Sequence, residues 1–199
     1  VFPTDVTDAD AVADAAERTR KELGAIDVLV ANAGIGGNDE ATRTWNPDAV
    51  KRVIDVNLIG AVNAVHAVLP AMLERGEGHL VAISSLAGFR GLPRSAAYCA
   101  SKAGMTSFFE SVRLDVQHRG VDVTIVQPGF IKTPLTSGRE AAMPYIMELD
   151  DAVPYFLKAI ENRKKFAAFP WQLATLVRSA RVFPAWLYDR IASRARYRE

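Results

Sequence analysis

Short apolar runs alternate along this chain with longer stretches whose apolar residues return every three or four positions, the periods of buried strand and amphipathic helix respectively. The short runs are residues 26–30, 79–83, 121–126 and 166–169. Their near-continuous apolar character is that of parallel strands buried on both faces. Between them, Thr7 or Asp8 is placed to cap a helix ending at Leu23, with Val12, Ala16, Thr19 and Leu23 on one stripe and Gly24 as its stop. Asn46-Pro47 opens a second helix running to about residue 74, with Val50, Val53, Ile54, Leu58, Val62, Val65 and Leu69 at helical spacing. Residues 95–118 form a third, ended by Gly120, and residues 150–162 a fourth, with Pro154 in its first turn. Residues 1–5 read as the end of a strand entering a turn. Alternating helix and strand predicts an α/β fold, a doubly wound parallel sheet in three layers.

Residues 170–199 break the alternation. They hold six arginines against one aspartate and one glutamate, interleaved with Trp171, Leu173, Leu176, Val177, Phe183, Trp186 and Leu187. A basic amphipathic stretch can lie on an anionic membrane surface, and more commonly packs on its own domain or a partner with its arginines solvated. Pro184 divides this tail in two.

Composition narrows the picture. At 199 residues and 49% hydrophobic, the chain suits one domain with a substantial core, residues 170–199 being its tail. A net charge of +1 makes no electrostatic case for nucleic acid. The one cysteine, Cys99, excludes an internal disulfide and fits a reducing, cytoplasmic setting. His66, His79 and His118 lack metal-ligand spacing, so no metal is expected. The sequence offers no secretory signal pattern and no apolar run long enough to span a membrane.

The chemistry concentrates between residues 84 and 104. Tyr98 and Lys102 are four apart at the head of a helix, one above the other on one face. A tyrosine hydroxyl titrates near a pKa of about 10, too high for efficient acid–base work near neutrality, and an ammonium beside it pulls that value down. Ser85, thirteen residues before Tyr98 where a strand gives way to a loop, could hold a carbonyl oxygen while Tyr98 moves a proton. Alone, Y-x-x-x-K arises by chance in very roughly one chain in three of this length. Here it has company: Asn32-Ala33-Gly34 after a strand, Asn57 in a helix, and Pro128-Gly129 after another strand.

In this set of motifs, in this order, the chain resembles the classical short-chain dehydrogenase/reductase family, roughly from Asp5 to Phe169. The resemblance implies a Rossmann-like fold, NAD or NADP as cofactor, and a carbonyl/alcohol substrate. It implies that Tyr98 is the general acid/base, that Ser85 orients the substrate oxygen, that Lys102 holds the nicotinamide ribose, and that Asn57 keeps a water linking Lys102 to solvent. Asp5, Asn32, Ala33, Gly34, Tyr98, Lys102, Pro128, Gly129, Ile131 and Thr133 would meet the cofactor, Asp5 at the adenine edge and Ile131 and Thr133 at the carboxamide. Residues 135–149 match the family's variable lid, and Met143, Tyr145, Ile146 and Met147 hint at a hydrophobic substrate. A homodimer or homotetramer through the helices of residues 47–74 and 95–118 follows by family habit.

The family's opening strand and glycine-rich turn, T-G-x-x-x-G-x-G, have no counterpart in these residues. The expectation is a partial sequence missing the first two strands, poor at binding dinucleotide by itself, with NAD-versus-NADP preference unreadable. Two other readings follow: an inactive fragment or non-catalytic oligomer partner, and an NAD-dependent sugar-nucleotide epimerase or dehydratase relative.

Overall fold

The computed structural model describes residues 1–36, 46–137 and 143–192. Four parallel strands form one sheet in chain order: β1 (Val28–Ala31), β2 (Gly78–Ile83), β3 (Val121–Pro128) and β4 (Phe166–Phe169). Side chains of successive strand residues face opposite sides of a sheet. Leu80, Ala82, Val123 and Ile125 therefore enter one core with Val65, Val68, Met72, Met105 and Phe109. Val81 and Val126 enter a second core with Ala152, Ala159 and Phe169. The helices supplying these partners are α3 (Gly60–Arg75) and α4 (Ala96–Val116) on one face and α5 (Leu149–Glu161) on the other. The result is the three-layer, doubly wound arrangement, Rossmann-like in form.

Helix α1 (Ala9–Leu23) is capped by Asp8, whose carboxylate accepts from the Ala11 amide at 3.0 Å, and it packs against α3. Leu23, placed on its apolar stripe by spacing, is exposed in the last turn. The predicted helix from Asn46 is interrupted. It runs as α2 (Pro47–Ile54), opens into one π-helical turn at Asp55–Ile59, and resumes as α3. By length and composition Pro47–Arg75 could cross a membrane, contrary to the sequence expectation, yet it supplies Val53, Val65, Val68 and Met72 to the protein core.

Three other expectations are corrected. Residues 1–5 form no strand; Val6 instead packs on Gly60, where a Cβ would lie 2.6 Å from the valine Cγ2, and the Val6 carbonyl accepts from Asn63 Nδ2. Strand β1 is an edge strand, with Leu29 and Ala31 turned to the core but Val28 and Val30 46% and 45% exposed, so only one of its faces is covered. Pro154 sits in the second turn of α5, on its exposed side, where water can satisfy the carbonyl one turn back.

Candidate active site

The site forms where the strands end. Beyond Ile83, Ser84 still pairs with the sheet, its amide donating to Val126 O at 2.8 Å. Its hydroxyl turns inward, donates to Lys102 O at 3.0 Å and shares a 2.7 Å hydrogen bond with Thr106 Oγ1. Ser85 caps a single 3-10 turn (Leu86–Gly88), its Oγ accepting from the Ala87 amide at 3.1 Å. That turn lies close on α4, and a side chain at position 88 would force the two apart by a few tenths of an ångström. A Cβ there would stand 3.0 Å from Ala103 N and from the Lys102 carbonyl carbon. The approach brings Ser85 to Tyr98, and the two hydroxyls hydrogen-bond.

Tyr98 and Lys102 lie one turn apart on α4, with the ammonium 6.0 Å from the phenol ring centroid. Lys102 is 4% exposed and donates to Ile83 O at 2.8 Å. Its only other hydrogen-bond partner among the described residues is the weak acceptor Met105 Sδ at 3.8 Å, which leaves an ammonium donor direction for a ligand. Burial lowers the Lys102 pKa from 10.5 to about 8. The tyrosine departs from the sequence expectation. Burial raises its pKa above the ordinary value, the Ser85 hydrogen bond opposes that rise, and Lys102 does not pull it down. The physical reason is separation: the ammonium is spent on the Ile83 carbonyl rather than on the phenol oxygen.

Asn57, fully buried in the π-helical turn, reaches across to the loop after β1. Its Oδ1 accepts from the Ile35 amide at 2.7 Å, and its Nδ2 donates to Ile35 O at 2.9 Å and to Ser101 Oγ at 3.1 Å. Extra turns of this kind mark functional positions in helices, because they rotate a side chain out of the regular stripe. Gly34 lies where these groups meet: a Cβ on it would stand 3.4 Å from Asn57 Oδ1 and 3.6 Å from Lys102 Nζ. Asn32, Ala33 and Gly34 are themselves exposed.

On the other rim, Pro128 ends β3 and the Gly129 amide donates to Phe169 O at 2.7 Å. Ile131 pairs with Met147 in an isolated parallel bridge. The Thr133 amide donates to Thr136 Oγ1, which donates to Ile131 O at 2.7 Å, so a hydroxyl-stapled turn follows the strand. Leu135 touches Gly36, at 2.9 Å from where a Cβ would be, closing the two rims on each other. Of the expected lid, Met147 is half-buried against the second core and Tyr145 is exposed; residues 138–142 lie outside those described. Asp5 is separate from this cluster. It accepts from the Thr7 amide and hydroxyl at 2.9 and 2.8 Å, which holds its carboxyl below the usual range, and it lines a groove with Asp48, Lys51, Arg52 and Asp55.

The spacing of motifs did not reveal the support beneath the site. Gln127 donates to Thr106 Oγ1 at 3.3 Å, extending the Ser84–Thr106 pair into a chain whose two ends, Ser84 and Gln127, are buried. The available signal was a pair of small polar residues on α4, the buried Ser101 and the half-buried Thr106. Nor did spacing foresee how the tail is used. Leu173 and Ala174 of α6 (Trp171–Ala180) pack with Leu86, Phe89 and Phe130. Arg90 donates to Ala180 O and, at 2.9 Å, to Phe183 O, and its guanidinium stacks 3.9 Å over the Tyr188 ring of α7 (Ala185–Ala192). The Tyr188 hydroxyl donates to Gly91 O at 2.5 Å. The tail thus clamps the loop that leads from Ser85 to Tyr98.

A parallel α/β sheet with Ser, Tyr, Lys and Asn side chains gathered at its carboxyl edge defines a nucleotide-dependent class of enzyme folds. The model of the short chain dehydrogenase family matches residues 1–144, and the chain belongs to that family of oxidoreductases. An uncharacterized oxidoreductase of Myxococcus xanthus (strain DK1622) is 47% identical over 193 residues, 96% of this chain and 76% of that protein. The 2-dehydro-3-deoxy-L-rhamnonate dehydrogenase (NAD(+)) of Sphingomonas sp. (strain SKA58) is 38% identical over 135 residues, 68% of this chain and 54% of its own length. Among solved structures, a short chain dehydrogenase from Burkholderia cenocepacia J2315 in complex with NADP superposes with a TM-score of 0.81 at 25% identity, covering 96% of this chain and 77% of that one.

Proposed function

We propose that this protein interconverts a carbonyl and an alcohol with NAD or NADP as redox partner, using Tyr98 as the general acid/base. The observation that carries the reading is the convergence of Ser85, Tyr98, Lys102 and Asn57 around the open backbone at Gly34. Burial leaves the Lys102 ammonium short of acceptors, and the absence of a side chain at Gly34 leaves room beside it. Both features fit a nicotinamide dinucleotide, whose ribose hydroxyls are acceptors for such a cation. When bound, that group supplies or accepts the hydride.

The residues of this chain do the rest. Tyr98 donates its phenolic proton to the substrate oxygen in reduction and removes it in oxidation. Ser85 hydrogen-bonds the same oxygen and the Tyr98 hydroxyl, which fixes the direction of transfer. Lys102, held by the Ile83 carbonyl, has a remaining donor that would hold a ribose hydroxyl of the dinucleotide. Asn57 holds the Ile35 backbone and retains one lone pair on Oδ1 for a water serving proton exchange with solvent. Ile131 and Thr133, in the segment that follows β3, are suited to fixing the nicotinamide face, and Asp5 to meeting the adenine edge. The substrate is a small-molecule carbonyl/alcohol pair; Leu135, Tyr145 and Met147 favour an apolar one. A homodimer or homotetramer through α2–α3 and α4 is supported by the exposed Ile59 and Leu114 on those helices.

The test is Tyr98→Phe. Turnover in a screen of carbonyl substrates should fall by at least about a thousandfold, as expected for loss of the proton donor, while NADPH or NADH binding, read by nicotinamide fluorescence, should stay within about twofold. Near-normal turnover in the variant would remove Tyr98 from the chemistry.

A further inference from the structure

The two most exposed aromatic side chains among the described residues are both tryptophans of the C-terminal helices, Trp171 at 71% and Trp186 at 69%. Leu176, Val182 and Ile191 are exposed with them. This exposure does not come from a tail without contacts. Leu173 and Ala174 are buried against the protein body, and Arg90 and Tyr188 fasten the helices to the loop at residues 90–91. One side of α6 and α7 is thus committed inward, and the indole rings remain outside.

Basic charge accompanies the rings. Trp171 and Arg178 are seven residues apart on α6, with the Arg178 guanidinium 5.7 Å from the Phe89 ring centroid at the edge of the protein body; Trp186 and Arg190 are four apart on one face of α7. Arg181 lies in the turn between the helices, and Asp189 is the one acid in residues 171–192. Exposed indoles together with arginines on short surface helices are found where a helix lies at a lipid headgroup layer, the rings entering the interface and the cations meeting lipid phosphate. At ten and eight residues, α6 and α7 are far too short to cross a bilayer of about 30 Å and can only lie on it. A second copy of the chain is the poorer occupant. Two-fold contact would set this positively charged patch against itself.

We propose that α6 and α7 dock this protein on an anionic membrane surface. The docking patch adjoins the active-site loop through the Arg90 and Tyr188 clamp, so the enzyme would work beside the lipid headgroups. This stands independently of the assignment of Tyr98.

The experiment is co-sedimentation of the 199-residue chain with vesicles of phosphatidylcholine alone and of phosphatidylcholine mixed with phosphatidylglycerol. Each basic residue at an anionic surface adds roughly fivefold to binding. Three arginines therefore give a preference on the order of a hundredfold for the anionic vesicles. That preference should collapse when salt rises from ~0.1 M to ~1 M, as the screening length falls from about 10 Å to about 3 Å. Lipid brominated in its acyl chains should quench tryptophan emission, and Trp171→Phe and Trp186→Phe should each reduce the quenching. Arg178→Gln/Arg181→Gln/Arg190→Gln should bind at least about tenfold more weakly with an unchanged circular dichroism spectrum. The wild-type measurements decide the matter even if that triple variant fails to fold. Absence of vesicle binding, equal binding to both vesicles, or a concentration-dependent dimer abolished by the tryptophan changes without any vesicle binding would each overturn the proposal.

Discussion

Asn57 grips both backbone polar groups of Ile35, accepting from its amide at 2.7 Å and donating to its carbonyl at 2.9 Å, across 22 residues of sequence. One side chain thereby joins the helix between β1 and β2 to the loop after β1, and its third hydrogen bond, to Ser101, ties both to α4. The loop carrying Gly34 has its position from this joint.

Replacement of Asn57 by leucine, which shares its γ-branching but is larger, removes all three hydrogen bonds and leaves the half-buried Ile35 amide and carbonyl without them. A buried polar group left unsatisfied costs about 1–3 kcal/mol. Chemical denaturation of Asn57→Leu should show a loss of about 2–4 kcal/mol, and amide exchange should rise at residues 33–36. A loss under about 0.5 kcal/mol would mean that the loop is held by something else.

Gly34→Ala separates binding from folding. The added methyl would meet Asn57 Oδ1 at 3.4 Å and Lys102 Nζ at 3.6 Å, ordinary contact distances, so stability should change by less than about 1 kcal/mol. The same methyl fills the space beside the ammonium. In a form of the protein that binds NADPH, affinity should fall at least about tenfold, measured by fluorescence titration; unchanged affinity would place the dinucleotide elsewhere.

Lys102 makes stability depend on pH. Its folded pKa of about 8 lies below the 10.5 of the free side chain, so between those values the unfolded chain binds the extra proton. Stability must then rise with pH across that window, at about 1.36 kcal/mol per unit, for roughly 3 kcal/mol in total. Tyr98, raised by burial, works in the opposite sense at higher pH, because its folded form keeps a proton the unfolded chain has lost. The difference between wild type and Lys102→Met in urea melts isolates the lysine. It should shift towards wild type from about pH 8 upward, and a flat difference would contradict the burial of the charge.

Gly120 and Gly76 meet at the opposite end of the sheet. Both have positive φ, 77° and 68°, and a Cβ on Gly120 would fall 1.9 Å from Gly76 O. Backbone against backbone cannot yield locally, so Gly120→Ala should cost several kcal/mol, about 3 or more. Gly24→Ala is the control. Its φ of 93° is equally demanding but nothing lies within 4 Å, so the expected cost is about 1 kcal/mol. Thermal melts of the two variants compare steric clash with conformational strain directly.

Much of this fold was legible because it rests on local rules. Asp8 and Asn46 as caps, Gly24 as a stop, Pro184 as a break, and apolar runs as strands all follow from the sterics and hydrogen-bonding capacity of neighbouring residues, whereas the helix expected to run on to Gly120 ends at Val116. The pairing of Tyr98 with Lys102 is of the same kind, since helical periodicity alone sets residues four apart on one face.

What the sequence could not determine depends on groups far apart in the chain. The π-helical turn at Asp55–Ile59 has no signature in the apolar spacing, yet it alone aims Asn57 at Ile35. The tyrosine pKa followed burial rather than its lysine neighbour, because desolvation depends on everything packed around the ring and the ammonium had a nearer acceptor in Ile83. Strand β1 looked apolar on both faces but occupies an edge, and whether Val28 and Val30 are covered depends on which layers lie beside them, not on their identity. The Ser84–Thr106–Gln127 chain and the Arg90 clamp likewise arise only when strand, helix and tail meet. Local propensity wrote the elements and the chemistry-bearing residues; long-range packing decided which polar groups found partners, and so which of them were left free to act.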